Sequence, residues 1–259
     1  QLGGDGVDWA QVTLFFLILA RMSGFVLFNP LFGRQTVPGI VKSGLILLLG
    51  ITAYAATDYA PAVPESILEL GVLLFLEIGM GYLLGVVMNL FFYIPMLGGE
   101  TIDIQMGMSM GKTYDPGSQS STTVTASLLN ILMMLLFFAG NGHHTLLRIF
   151  LTSGEVVPFG RAAFGENVYA AIIELFITCT VMGIKLCMPI LAAELLGQVG
   201  MGILMKVIPQ INVFAINIEL KVIIGLTLLL LMMAPFSEYL LHAESEMLRQ
   251  LQVLLAGMG

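Results

Sequence analysis

Few residues in this chain have types and spacing suited to chemistry. Gly107-Met108-Ser109-Met110-Gly111 has the form G-x-S-x-G, which in hydrolases holds a nucleophilic serine on a sharp strand-to-helix turn. No strand pattern precedes it, and with 29 glycines in 259 residues the form arises easily by chance. A serine hydrolase is therefore not expected. His143-His144 would offer two imidazoles to a metal, but adjacent histidines on a helix diverge, and no acid stands at ligand spacing as in H-E-x-x-H. The chain also lacks a Walker A lysine motif and a dinucleotide fingerprint, so neither a cofactor nor catalysis is expected.

The charges are more informative. Arg21 falls near the middle of an apolar run, where an isolated arginine costs roughly 2.5 to 3.5 kcal/mol on insertion scales. Glu77, Glu174, Lys185, Glu194, Glu219 and Lys221 are placed similarly. Such residues line a polar conduit, pair across subunits, or pair inside one bundle, and the first two are the favoured expectation. Glu219 and Lys221 are too close in sequence to face each other on a helix. Gln210, Asn217 and Lys221 share a face if helix continues through them. Met106, Met108 and Met110 stand within Gln105-Met-Gly-Met-Ser-Met-Gly-Lys-Thr-Tyr-Asp-Pro-Gly117, so that Met106, Gly107, Met108, Ser109, Met110, Gly111, Lys112, Thr113, Tyr114, Asp115 and Pro116 read as a compliant loop. Methionine supplies deformable apolar bulk, glycine supplies backbone freedom, and Asp115-Pro116-Gly117 makes a turn.

The elements that must position these groups follow from composition. Apolar residues other than glycine make up 58% of the chain against 10% charged, and mean hydropathy is +0.95. No soluble fold of this length covers that much apolar surface. Runs at 12–32, 67–97, 168–196 and 213–236 reach or exceed the roughly 20 residues that cross hydrocarbon, and they lack the alternation of a barrel. The expectation is an all-α integral membrane protein. Its first helix runs from Val7 to Phe28, and no cationic signal-peptide region precedes it, so that helix is expected to be retained. Gly81 and Gly85 form a small-xxx-small face for close helix packing. A helix from Val168 is expected to break at Pro189, a hairpin to turn around Pro209, and Ser237 to Leu255 to form an amphipathic tail. The net charge of −7 contains no basic run, which argues against nucleic acid as a partner.

Read together, Gly99-Glu100, Gln105-Met106-Gly107, Asp115-Pro116, Asn141-Gly142-His143, Pro209-Gln210-Ile211-Asn212-Val213-Phe214 and Lys221, with Arg21, Pro30, Val37-Pro38 and Lys42 before them, resemble the FliR/SctT family of type III export-gate subunits. The likeness spans nearly the whole chain and favours the flagellar branch over the injectisome branch, with a secondary transporter a distant alternative. The resemblance implies kinked helical hairpins in a bacterial inner membrane, within the flagellar basal body. It implies a FliP-like part at 1–188 followed by a FliQ-like hairpin and tail at 189–259. It implies assembly with FliP and FliQ, with FlhB around the base and FlhA beneath, and passage of unfolded flagellar proteins. The loop from Met106 then corresponds to a plug in the channel, and Arg21, Glu100, Gln105, Gln210, Asn212, Asn217, Glu219 and Lys221 to interface or conduit positions.

Overall fold

The computed structural model describes residues 9–57, 59, 62–108, 113–115, 120–162, 164–207 and 213–258. Among them the chain is helical almost throughout, in the order α1 (Trp9–Phe28), α2 (Gly39–Ala55), α3 (Ile67–Met106), β1 (Thr113–Asp115), β2 (Ser120–Thr122), α4 (Val124–Ala139), α5 (Gly142–Leu151), α6 (Ser153–Val156), α7 (Glu166–Val207), α8 (Val213–Leu231) and α9 (Met233–Ala256). α1, α3 and the stretch Val168–Leu204 of α7 are long and apolar enough to cross a membrane. The pairs Val124–Ala139 with Gly142–Val156, and Glu219–Leu231 with Met233–Ala256, bring the number to five if each is counted as one broken span. An all-α membrane protein is thus what the chain forms, because a helix satisfies its own backbone where lipid offers no partners.

The break expected at Pro189 is corrected. α7 does not stop at Pro189, and α3 runs through Pro95 to Met106. A proline removes one N–H from the ladder. In an apolar helix of 40 or 42 residues the flanking turns hold the remainder, and ending the helix in lipid would strand several more backbone groups than continuing past the proline does. The connector from Asn141 to Asn167 is not bare loop either, since it folds α5 and α6. Asn141 has φ 58°, a left-handed turn that asparagine tolerates, and it separates α4 from α5.

The chain forms two compact units of interleaved segments, Gln1–Asn89 with Gly142–Leu175 and Glu246–Gly259, and Leu90–Asn141 with Phe176–Ser245. In the first unit α1 lies against α2, where Phe15 meets Tyr54 edge-on at 5.8 Å and the Tyr54 hydroxyl bonds Gln11 Oε1 at 2.9 Å. α1 also lies directly on α3. The Gly81 position abuts Arg21 O and Phe25 N, and Gly85 abuts Phe28 O, so a side chain at either would push the backbones apart. This is the glycine face expected from spacing. In the second unit the Gly98 position meets Gly183 and Leu186 of α7, Gly99 lies on the backbone of Ala126 in α4, and the Tyr239 hydroxyl of α9 donates to Met182 O at 3.1 Å.

Candidate functional site

Each unit carries a buried polar cluster. In the first, α1 presents Arg21 and α3 presents Glu77, both 0% exposed. Arg21 Nε lies 2.6 Å from Glu77 Oε2, and Nη2 donates to Oε1 at 3.1 Å. The third nitrogen, Nη1, donates to Val157 O at 3.0 Å and to Ser153 Oγ at 3.4 Å, while the Phe159 ring covers the guanidinium at 4.1 Å. Glu77 Oε1 also accepts the Gly160 N–H at 2.8 Å, and the Phe159 N–H donates to the Tyr59 hydroxyl oxygen. The planar fork of arginine meets a carboxylate at two points and still reaches a carbonyl, a pattern lysine does not reproduce. Arg21, expected at a conduit or interface position, instead forms an internal ion pair that fastens residues 157–160 to the bundle. Tyr59 lies outside the spans, and burial pushes its hydroxyl above the usual range, so it stays neutral.

In the second unit the structure shows how the methionine loop is rooted. α3 ends at Met106, Gly107 takes φ +79°, and the Met108 N–H folds back to Asp103 O at 2.8 Å. The buried Asp103 carboxylate accepts from Thr125 N at 2.8 Å and from Thr125 Oγ1 at 2.5 Å. A carboxylate on α3 therefore caps the first turn of α4, and the two feet of the loop are clamped by one residue. Thr122 Oγ1 and Ser127 Oγ, 2.7 Å apart, add a second tie at the returning foot. Between the feet the chain is not wholly irregular. β1 pairs antiparallel with β2, Thr113 opposite Thr122 and Asp115 opposite Ser120. Gly107 thus follows a helix and precedes a strand, the reverse of the order that the hydrolase elbow requires.

Met106 is fully buried, and its thioether lies over Gly225 of α8, where a β-carbon would collide with it. Glu194 of α7 borders the same spot, 1% exposed, with Oε1 lacking a hydrogen-bond partner among the described residues, and Lys221 stands one turn before Gly225 on α8. The loop's first foot, Gly225 and Glu194 thus meet at one spot.

The remaining positions singled out in the sequence are scattered. Met108, Glu100, Gln105 and Lys221 are half-buried, while Glu219, Glu174 and Lys185 are exposed. Thr113, Tyr114 and Asp115 are placed by β1, and Asn217 by α8. Ser109, Met110, Gly111, Lys112, Pro116, Gln210 and Asn212 lie outside the described residues, as does the turn at Pro209. Sequence reasoning passed over Asp103. The available signal was an acid near a helix end, ahead of the capping run Thr122-Thr123 before α4.

Residues 12–247 match the sequence family described as bacterial export proteins, family 1. The chain is 25% identical over 248 residues to the flagellar biosynthetic protein FliR of Bacillus subtilis (strain 168), covering 95% of each. It is 27% identical over 234 residues to the protein of the same name from Escherichia coli (strain K12), covering 88% of each. It is also 26% identical over 220 residues to the Yop proteins translocation protein T of Yersinia pestis, covering 83% of this chain and 84% of that one.

Proposed function

The chain belongs to the bacterial export proteins, family 1, and on that premise we propose that it is a subunit of the flagellar type III export gate, a structural part of the conduit through which unfolded flagellar proteins leave the cell. The observation that carries this reading is the end-to-end likeness to flagellar relatives, up to 95% of both chains. The gate lies in the inner membrane at the flagellar basal body, and its other members are FliP and FliQ, with FlhB and FlhA bound to it. Within the chain, residues 1–188 correspond to the FliP-like part and 189–259 to the FliQ-like hairpin.

The loop that leaves α3 at Met106 and runs to Pro116 is the seal, with Met106 itself its fixed foot. A passage wide enough for an unfolded chain must still hold back ions at rest, which calls for an apolar constriction that dewets and yet yields to varied side chains. Methionine suits that demand because it is apolar and flexible. The clamp of Asp103 on Thr125 supports the assignment, since a segment that moves needs feet that do not. Arg21 belongs to the scaffold of this gate, whereas Glu100, Gln105, Gln210, Asn212, Asn217, Glu219 and Lys221 are the positions to be met by neighbouring subunits or the conduit.

Affinity purification of the tagged chain from a flagellated host tests the reading. Recovery with FliP and FliQ homologues is expected, and recovery as a lone homodimer would overturn it. The likeness to the Yersinia pestis protein favours an injectisome gate as the second reading. Restoration of swimming to a host lacking its own flagellar relative separates the two, because an injectisome subunit should leave the host non-motile.

A further inference from the structure

A cleft of about 480 Å³ opens in the first unit between the segment leading into α3 and the loop after α6, within the range of about 300–1,000 Å³ typical of small-molecule sites. Its walls include Val63, Leu73 and Phe159, and its polar groups are Tyr59, Glu69 and Arg161. The walls are built in advance of any occupant. Residues 157–160 are held by Arg21, Tyr59 and Glu77 as described, and Glu69 is fixed in the first turn of α3 by a reciprocal cap. Ser66 Oγ accepts the Glu69 N–H at 3.1 Å, and Glu69 Oε2 accepts the Glu65 N–H at 2.8 Å.

Three polar groups keep bonding capacity toward this cleft. The Arg161 guanidinium and the Glu69 carboxylate form no ion pair among the described residues. The Tyr59 oxygen accepts from Phe159 N, but its own proton is given to no described residue. The cleft therefore offers one cation, one neutral donor and one anion. It also stands at the head of an exposed apolar row, since Ile67, Leu68, Val72 and Phe75 of α3 are half or more exposed. A tyrosine and a charged side chain at the start of a membrane helix mark the headgroup level of a bilayer.

We propose that this cleft binds the headgroup of an aminophospholipid of the phosphatidylethanolamine class, the phosphate on Arg161 and the Tyr59 hydroxyl, the ammonium on Glu69, and the acyl chains along the exposed row of α3. An anionic lipid seeks a cluster of bases. This cleft balances its charges, so the two signs favour a zwitterion. A choline headgroup matches the charge but has no N–H to donate to Glu69.

The complex that copurifies with the full-length chain, reconstituted in nanodiscs of equal parts phosphatidylethanolamine, phosphatidylcholine and phosphatidylglycerol, provides the test. Retained lipid is counted by native mass spectrometry. The parent is expected to keep phosphatidylethanolamine over either competitor by about fivefold. Glu69→Gln keeps the bond to Glu65 N but removes the charge, and should erase the preference over phosphatidylcholine. Arg161→Gln should lower retention of all three lipids, and Leu73→Trp, which fills the cleft and touches no charge, should do the same. Equal retention of the three lipids by the parent, a preference for phosphatidylglycerol, or an unchanged preference in Glu69→Gln and Leu73→Trp would overturn the proposal.

Discussion

Deleting the Arg21 guanidinium leaves Glu77 buried with the Gly160 N–H as its one hydrogen-bond donor among the described residues, and a buried carboxylate in that position costs far more than the ion pair is worth. Arg21→Met is therefore expected to destabilise the chain by about 3–5 kcal/mol, and the double change Arg21→Met with Glu77→Leu by less, because no charge is then stranded. Thermal midpoints of the purified complex check this, and a double variant as damaged as the single one would show that the loop contacts, not the pair, carry the loss. Arg21 and Glu77 were legible in the sequence as costly charges. Their pairing was not, because 56 residues separate them and nothing in local spacing links two helices that meet through Gly81 and Gly85. Asp103 was less visible still, since its role exists only once α3 and α4 touch at Gly99.

Among the elements, the clamp and the loop it holds make separable predictions. Asp103→Ala removes the cap of α4 and is expected to cost about 1–2 kcal/mol, with faster hydrogen exchange in β1, β2 and the first turn of α4. Unchanged exchange there would mean that Thr122 and Ser127 suffice as the tie. Deleting Gly107 to Thr113 should make cells that assemble the gate leak ions and small solutes while export persists, and tryptophan at Met108 and Met110 should slow export. Leakage and secreted-protein yield decide this once assembly is confirmed by pull-down, and a deletion that assembles without leaking makes the loop a connector. Apolar runs made α1, α3, α7 and α8 readable in advance. The short hairpin was not, because three-residue strands of Thr, Tyr, Asp and Ser carry no hydrophobic alternation to detect. The passage of α7 through Pro189 was misread because a proline usually ends a helix where water can take the backbone groups at the new end, and lipid cannot.

For the molecule as a whole, assembly and manufacture place different demands on its charges. Lys221→Glu puts a second acid on α8 one turn from Gly225, where the buried Glu194 lies, and is expected to block gate assembly, while Lys221→Arg is tolerated. Native gels of the copurified complex report the outcome. Restoration by Glu194→Lys in the Lys221→Glu background would assign Lys221 to an internal pair with Glu194, and failure of that exchange would assign it to a neighbouring subunit. Arg21 raises a different matter, that of synthesis. It leaves the ribosome 56 residues before Glu77, which at about 5–20 residues per second is roughly 3–11 s. Throughout that interval α1 holds an arginine at membrane depth with no counter-charge, a poor candidate for release into lipid. The insertion machinery must therefore keep α1 in a sheltered position until α3 arrives, and the two helices enter the bilayer as one consignment. Nascent chains stopped before Glu77 should be extractable and quickly degraded, whereas the same chains carrying Arg21→Leu should stay in the membrane.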